Sequence, residues 1–308
     1  MSPMTDPSTH ADPRIADLLR SADRPLLSYE FFPPKTEAGL RSLEQTVQGL
    51  SHTRPDFVTV TYGAGGSTQN LTFEVAALLR RFHFHPVMPH LTCVGASRED
   101  LHQIAERIHE EGFRNVMTLR GDPPKGMTDF QATENGLSCA RDLVALLKTR
   151  HPDLCLGVAG YPEGHPDAVS TDSEIAYLKE KVDAGADFIT TQLFFDNTDY
   201  YRFRDRCEQA GISVPILPGI MPALSLPQIR RFLSMCGSAL PPELEKRLEI
   251  AGDDKEKSMN AGILWSMEQI VDLLQNDVPG IHLYVLNQIR PAMAYQLAQT
   301  FMEMTRGR

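Results

Sequence analysis

The sequence predicts one α/β domain, built as a single (β/α)8 TIM barrel. Short apolar runs, rich in β-branched and aromatic residues, alternate eight times with longer amphipathic stretches along the 308 residues. Such strict alternation implies a parallel sheet with right-handed crossovers. An open, doubly wound sheet would alternate in the same way. The closed barrel is favoured because eight units fill the chain without a repeat, a low-complexity tract or a break in composition.

The apolar runs are the predicted strands, and several are bounded by Gly, Pro or Asp. They cover residues 26–32, 57–62, 86–93, 115–121, 155–161, 188–195, 214–221 and 281–287. Helices are predicted at residues 97–112, 171–185, 197–211 and 226–237, with two more within 241–275 and one that closes the chain. In the first of these, Ser97 is placed to cap the N-terminus, Asp100 stands at the capping-box position and Gly112 stands at C′.

Residues 1–24 are predicted to form a flexible N-terminal arm, and residues 25–308 the barrel. The arm is polar, is broken by prolines, and lacks the apolar segment of a secretory signal. The net charge is −10 and there is no basic run, so nucleic-acid binding is not expected. No apolar run is long enough to predict a membrane span. Five scattered cysteines without a CxxC pair predict reduced thiols in a cytoplasmic protein.

Polar and aromatic residues stand at the ends of nearly all predicted strands. In chain order they are Glu30, Thr61, Tyr62, His90, Arg120, Asp122, Tyr161, His165, Gln192, Gly219 and Tyr284. The C-terminal ends of barrel strands form one rim, where active sites lie, so these residues are predicted to meet there. Glu30 lies among aromatic residues, and desolvation there would raise its pKa and suit a general acid. A glutamate paired with an arginine inside the barrel fits the same pattern.

Three further features bear on the site. Gly121, between Arg120 and Asp122, would let the backbone approach a flat ring or a phosphate, although a local Arg–Asp surface pair is the alternative. The Gly-rich loop 62–68 lacks the GxGxxG and Walker spacings, so its nucleotide signal is weak. Lys181, on the helix after the stiff loop 161–166, could bind a phosphate. The histidines have no metal-ligand spacing, so no metal site is predicted, and His151 is expected to be exposed.

These residues fall in motifs whose order resembles the methylenetetrahydrofolate reductases over about residues 26–295. The motifs are SYEFFPPK (28–35), FVTVTYGAGG (57–66), PHLTC (89–93), LRGDPP (119–124), YPEGHPDA (161–168), LKEKVDAGADFITTQLFFD (178–196), PILPGIMP (215–222) and LYVLN (283–287). LRGD alone is a weak signal, but the complete series in order is specific.

The resemblance implies a flavoprotein that reduces 5,10-methylenetetrahydrofolate to 5-methyltetrahydrofolate and so supplies methyl groups for methionine synthesis. NADH or NADPH would be the hydride donor in a ping-pong cycle through FAD. Glu30 matches the catalytic acid and Asp122 a catalytic carboxylate near flavin and folate. The implied FAD site comprises Thr61, Tyr62, Ala64, His90, Arg120, Gly121, Asp122, Cys139, Ala140, Tyr161, His165, Ala168, Glu174 and Lys181. The implied substrate site comprises Glu30, Asp122, Gln192, Gln228, Phe232, Tyr284 and Gln288.

The sequence departs from the family pattern at three site positions. Gln288 stands where an arginine for the folate glutamate tail is common, Cys139 stands where an aromatic residue is common, and Glu174 replaces an aspartate. The chain ends with the barrel, as in the short bacterial form, so inhibition by S-adenosylmethionine is not expected. A homo-oligomer is expected from the resemblance. A pterin-dependent methyltransferase and a partner-dependent or noncatalytic folate-binding barrel are the alternative functions.

Overall fold

A computed structural model of the chain describes residues 12–62, 69–122 and 131–306. Within these residues, parallel strands form one sheet in the order β7–β6–β5–β4–β3–β2–β1–β9–β8. The strands are β1 (Leu26–Phe31), β2 (Phe57–Val60), β3 (Val87–Thr92), β4 (Asn115–Leu119), β5 (Cys155–Gly160), β6 (Phe188–Thr191), β7 (Ile216–Leu217), β8 (Gly219–Ile220) and β9 (Gly280–Tyr284). Because β7 and β8 are consecutive in the chain but pair with opposite neighbours, the sheet closes into the predicted barrel.

The strands alternate with helices on the outside of the barrel. The helices are α1 (Ile15–Ser21), α2 (Glu37–Leu50), α3 (Gln69–Arg81), α4 (Arg98–Glu110), α5 (Ala140–Arg150), α6 (Thr171–Asp183), α7 (Asn197–Gln209), α8 (Leu226–Cys236), α9 (Pro242–Ala251), α10 (Lys255–Gln275) and α11 (Met293–Arg306), with short 3-10 turns at Ser51–Thr53 and Arg290–Ala292. Ser97 and Asp100 form the predicted capping box of α4, and Gly112 follows its end with φ +76°. None of the helices in the described ranges has the length and apolar character of a membrane span.

The seventh predicted strand is divided in two, so the described residues contain nine strands instead of eight. Pro218 lies between β7 and β8 and has no N–H to donate to the ladder. Its carbonyl accepts from the His282 backbone N–H at 3.0 Å, and the Gly219 N–H donates to Thr191 Oγ1 at 2.9 Å. The break therefore turns the chain from its pairing with β6 to its pairing with β9.

The floor of the barrel is closed by α1, within the residues that the sequence placed in a flexible arm. Ile15 and Ala16 are buried against inward-facing apolar side chains from β2 to β7. The Ile15 backbone N–H donates to Asn115 Oδ1 at 2.7 Å, and Asn115 Nδ2 donates to the Pro13 carbonyl at 2.9 Å. Residues from Asp12 onward are thus part of the barrel. The helix has only seven residues, and its anchor is about 100 residues away in sequence, so local periodicity could not reveal it.

Candidate active site

Two adjoining cavities open at the carboxyl ends of the strands. The central cavity lies in the barrel mouth over β1, β3 and β9, and the side cavity lies beside it between β4, β5 and α6. Each has a volume of about 350 Å³, and they share Leu119, Arg120, Ala159, Tyr161 and His165. A long ligand with two dissimilar ends could therefore occupy both.

Most of the predicted site residues line these cavities. The central cavity contains Glu30, Thr61, Tyr62, His90, Arg120, Gly121, Asp122, Tyr161, His165, Gln192 and Tyr284. The side cavity contains Arg120, Cys139, Ala140, Tyr161, His165, Ala168, Glu174 and Lys181. Gln228, Phe232 and Gln288 line neither cavity, and Ala64 lies outside the described residues.

Glu30 contacts two histidines at the base of the central cavity. Its Oε2 lies 3.5 Å from His282 Nε2 and 3.6 Å from His90 Nε2, and its side chain is 20% exposed. Burial raises the pKa of Glu30, but the hydrogen bond from His282 and the electrostatic attraction of the two imidazoles outweigh it, so the pKa is lowered. The raised pKa predicted from the aromatic neighbours is therefore wrong for the open cavity, because the sequence could not show the histidine donor.

His282 is the main element of the site that the sequence did not reveal. Its side chain is 1% exposed, and its Nδ1 lies 2.8 Å from Ser28 Oγ while Nε2 faces Glu30. The register pairs Ser28 with His282 and Glu30 with Tyr284 across β1 and β9. Alternation along each strand puts these four side chains on the same face. That alternation was readable, but the pairing of β1 with β9 was needed to bring the residues together.

His90 is held as a neutral imidazole. Burial lowers its pKa to about 4, against a smaller opposing effect of Glu30. Its buried Nε2 has no hydrogen-bond partner among the described residues, and Thr92 Oγ1 and Thr190 Oγ1 in the same cavity are likewise unpartnered there. Buried polar atoms that lack partners are costly, so these three atoms are suited to meet polar groups on a bound ligand.

Gly121 permits close approach at the junction of the two cavities. It adopts φ +88°, and a Cβ there would lie 2.7 Å from Val94 Cγ1. Arg120 donates from Nη2 to Asp167 Oδ2 at 3.1 Å, so the loop after β5 supplies an acidic partner. Asp122 is exposed at the mouth.

The side cavity is lined by aromatic and cationic groups. The rings of Tyr161 and His165 meet edge-on with centroids 4.7 Å apart, and burial lowers the pKa of His165. Lys181 is 3% exposed, donates from Nζ to the Ala159 carbonyl at 2.7 Å, and has a pKa lowered by burial to about 8. Glu174 favours the charged form of Lys181. A buried ammonium in this position suits an anionic ligand group.

Hydrogen bonds to the backbone fix Gln192, which follows β6, and Tyr284, which lies on β9. Gln192 Oε1 accepts from the Leu193 backbone N–H at 2.9 Å, which leaves its amide NH₂ as a donor for a ligand. The Tyr284 hydroxyl donates to the Thr191 carbonyl at 2.7 Å. A Cβ on Gly219 would lie 2.8 Å from that hydroxyl and 2.4 Å from the carbonyl. Gly219 is therefore required by the position of Tyr284.

The remaining predicted residues lie outside the two cavities. Gln228 and Phe232 are half-buried on α8, where Phe232 packs against the apolar cluster that also contacts Tyr284. Gln288 is exposed in the loop after β9.

The residues present fit a flavin nucleotide. The unpartnered polar atoms of His90, Thr92 and Thr190 match the polar edge of a flat heterocycle, and Gly121 allows its approach. Lys181 and Arg120 supply the cationic character that a pyrophosphate or an adenylate end requires.

A closed parallel barrel with polar cavities at the carboxyl ends of its strands is the architecture of a (β/α)8-barrel enzyme. The chain belongs to the methylenetetrahydrofolate reductase family, whose sequence profile matches residues 14–297.

Relatives of known name support this assignment. The 5,10-methylenetetrahydrofolate reductase of Pectobacterium carotovorum subsp. carotovorum is 36% identical over 94% of this chain and 96% of its own length. The Salmonella typhimurium enzyme of the same name is 38% identical over 89% and 90%. Methylenetetrahydrofolate reductase (NADH) 1 of Arabidopsis thaliana is 39% identical over 91% of this chain, which spans about half (50%) of that relative.

A solved structure supports the fold alone. An uncharacterized protein from Clostridium thermocellum, which binds two copies of 5-methyl-5,6,7,8-tetrahydrofolic acid, superposes with a TM-score of 0.66. The match covers 92% of this chain and 99% of that one at 16% identity.

Proposed function

We propose that this chain reduces 5,10-methylenetetrahydrofolate to 5-methyltetrahydrofolate, using FAD and a reduced nicotinamide nucleotide in a ping-pong cycle. The observation that carries the proposal is the central cavity. Its lining combines Glu30 at the base with Asp122, Gln192 and Tyr284. Family membership supports the reaction.

FAD would be held across both cavities. Tyr62, His90, Gly121 and Gln192 would border the flavin ring in the central cavity, while Lys181 and the other side-cavity residues would bind the remainder of the cofactor. Bound FAD would supply hydride transfer, which no side chain of the protein can perform. The protein would supply position, charge and a proton.

Glu30 would donate the proton to N10 of the folate, which opens the five-membered ring to a cationic iminium. In the open cavity its pKa is lowered, so the carboxylate form prevails at neutral pH. A folate that fills the cavity excludes water from the exposed part of Glu30, and loss of water raises a carboxylate's pKa. The acid form would therefore arise when the substrate is bound.

Two further side chains would act on the bound folate. Asp122 places a carboxylate at the cavity mouth, where it would stabilise the cationic ring-opened folate electrostatically. Gln192 offers its amide NH₂, which would bind the polar edge of the folate and, in the other half-reaction, of the nicotinamide. One cavity would thus serve the two substrates in turn.

The test is an anaerobic absorbance experiment on the purified chain. A flavin spectrum that is bleached by NADH or NADPH and restored by methylenetetrahydrofolate is expected, and the effective nucleotide identifies the donor. A chain that cannot take up FAD would contradict the proposal and favour a pterin methyltransferase or a binding protein. A bound flavin that neither nucleotide reduces would refute the proposed hydride donor.

A further inference from the structure

A histidine pair lies at the opposite end of the barrel from the cavities. His109 is in the last turn of α4, His151 follows α5, and Asp153 precedes β5. These positions are near the amino-terminal ends of the strands. One ligand atom from each of the three residues lies within 4.8 Å of the other two, and the imidazole rings stack with centroids 4.8 Å apart.

His151 is buried, although the sequence predicted it to be exposed. It is 7% exposed, and its Nε2 has no hydrogen-bond partner among the described residues. The nearest carboxylate oxygen, Glu106 Oε1, is 3.7 Å away and accepts from Arg150 instead. A buried imidazole nitrogen that lacks a hydrogen-bond partner is suited to bind a metal ion.

The other two ligands are accessible and adjustable. His109 and Asp153 are exposed. Asp153 accepts from Arg114 through Oδ2, while its Oδ1 has no partner within the described part of the chain. Metal–nitrogen and metal–oxygen bonds of about 2.0–2.2 Å in tetrahedral geometry place ligand atoms about 3.4 Å apart. Rotation of the two exposed side chains can close the remaining gap.

We propose that His109, His151 and Asp153 bind a divalent transition-metal ion of the zinc class. Two imidazoles and one carboxylate are a donor set for Zn²⁺, and water would complete the coordination. The ion would join the ends of α4 and α5. The competing salt bridge from Arg114 to Asp153 makes the site weaker than a dedicated structural zinc site. This inference is independent of the proposed reaction.

The test measures Zn²⁺ binding to the full chain by calorimetry, after removal of any affinity tag, and Co²⁺ binding by visible absorbance. His109→Gln and Asp153→Asn remove exposed ligands without touching the core, and His102→Gln, also on α4, is the matched control. One ion per chain is expected, with affinity reduced about tenfold or more in both ligand variants and unchanged in the control. Zn²⁺ should also raise the thermal midpoint of the wild type and the control. Absence of binding, or equal binding in His109→Gln and His102→Gln, would overturn the proposal.

Discussion

Acid should destabilise this protein through His90, and the size of the effect follows from its burial. His90 is 7% exposed, and burial lowers its pKa from 6.5 to about 4. In the unfolded chain the imidazole regains its ordinary pKa, so the unfolded state binds more protons between pH 6.5 and about 4. The free energy of unfolding therefore falls as the pH falls through this window. A difference of about 2.5 pH units at 1.36 kcal/mol each gives a loss of about 3 kcal/mol.

The assay compares urea unfolding of the wild type and His90→Gln at pH 7 and pH 4, followed by circular dichroism. Glutamine cannot titrate, so the variant should lose about 3 kcal/mol less stability than the wild type over this range. Burial also lowers the pKa values of His151 and His165, but these groups contribute equally in both proteins. His102→Gln controls for removal of a histidine. Equal losses in the wild type and His90→Gln would refute the assignment of a buried neutral imidazole.

Three other substitutions test the site. Glu30→Gln should slow flavin reoxidation by methylenetetrahydrofolate by about 10²–10⁴-fold in stopped flow. Flavin reduction by the nicotinamide nucleotide should change little. Equal slowing of both half-reactions would exclude Glu30 as the acid that protonates the folate. Gly219→Ala should cost about 1–3 kcal/mol in urea unfolding and raise KM for folate, since the new methyl group displaces Tyr284; an unchanged KM would contradict that placement. Gly121→Ala and Gly112→Ala both introduce a Cβ at positive φ, which should lower the free energy of unfolding by about 1–2 kcal/mol each. Only Gly121→Ala should weaken FAD retention, measured by flavin fluorescence after dialysis.

The sequence predicted the fold through patterns that are local. The strands, and the helices α4 and α6 to α11, were visible from their own local patterns, and the predicted capping box of Ser97 and Asp100 is confirmed. Pro218, which divides the seventh strand, was visible in the sequence. The sequence did not show that the chain after Pro218 pairs with β9. A hydrogen bond to Asn115, about 100 residues away in sequence, holds α1 at the floor of the barrel. No local stretch of sequence reveals this contact.

The same distinction holds for the site. Strand-end residues such as Arg120, Tyr161 and Gln192 were predictable because a barrel puts all such ends on one rim, and the structure brings them to two adjoining cavities. The role of His282 was not predictable, because its ring acts across the pairing of β1 with β9. The pKa direction of Glu30 was misjudged for the same reason: aromatic neighbours are visible in sequence, whereas a histidine 252 residues away is not.

The state of Glu30 links its surroundings to the order of the proposed reaction. His282 is fixed by Ser28 and is 1% exposed, so its pull on the carboxyl group changes little when a ligand enters. What a ligand changes is the amount of water in contact with the exposed 20% of the Glu30 side chain. A ligand that covers this surface without donating a hydrogen bond to the carboxylate raises the pKa of Glu30, since it removes solvation from the charged form. A nicotinamide gives up hydride without needing a proton from the site, whereas folate needs one at N10. In the proposed reaction, an acid that becomes protonated only under a ligand covering its whole exposed surface would therefore serve the folate half-reaction, even though both substrates would use one cavity.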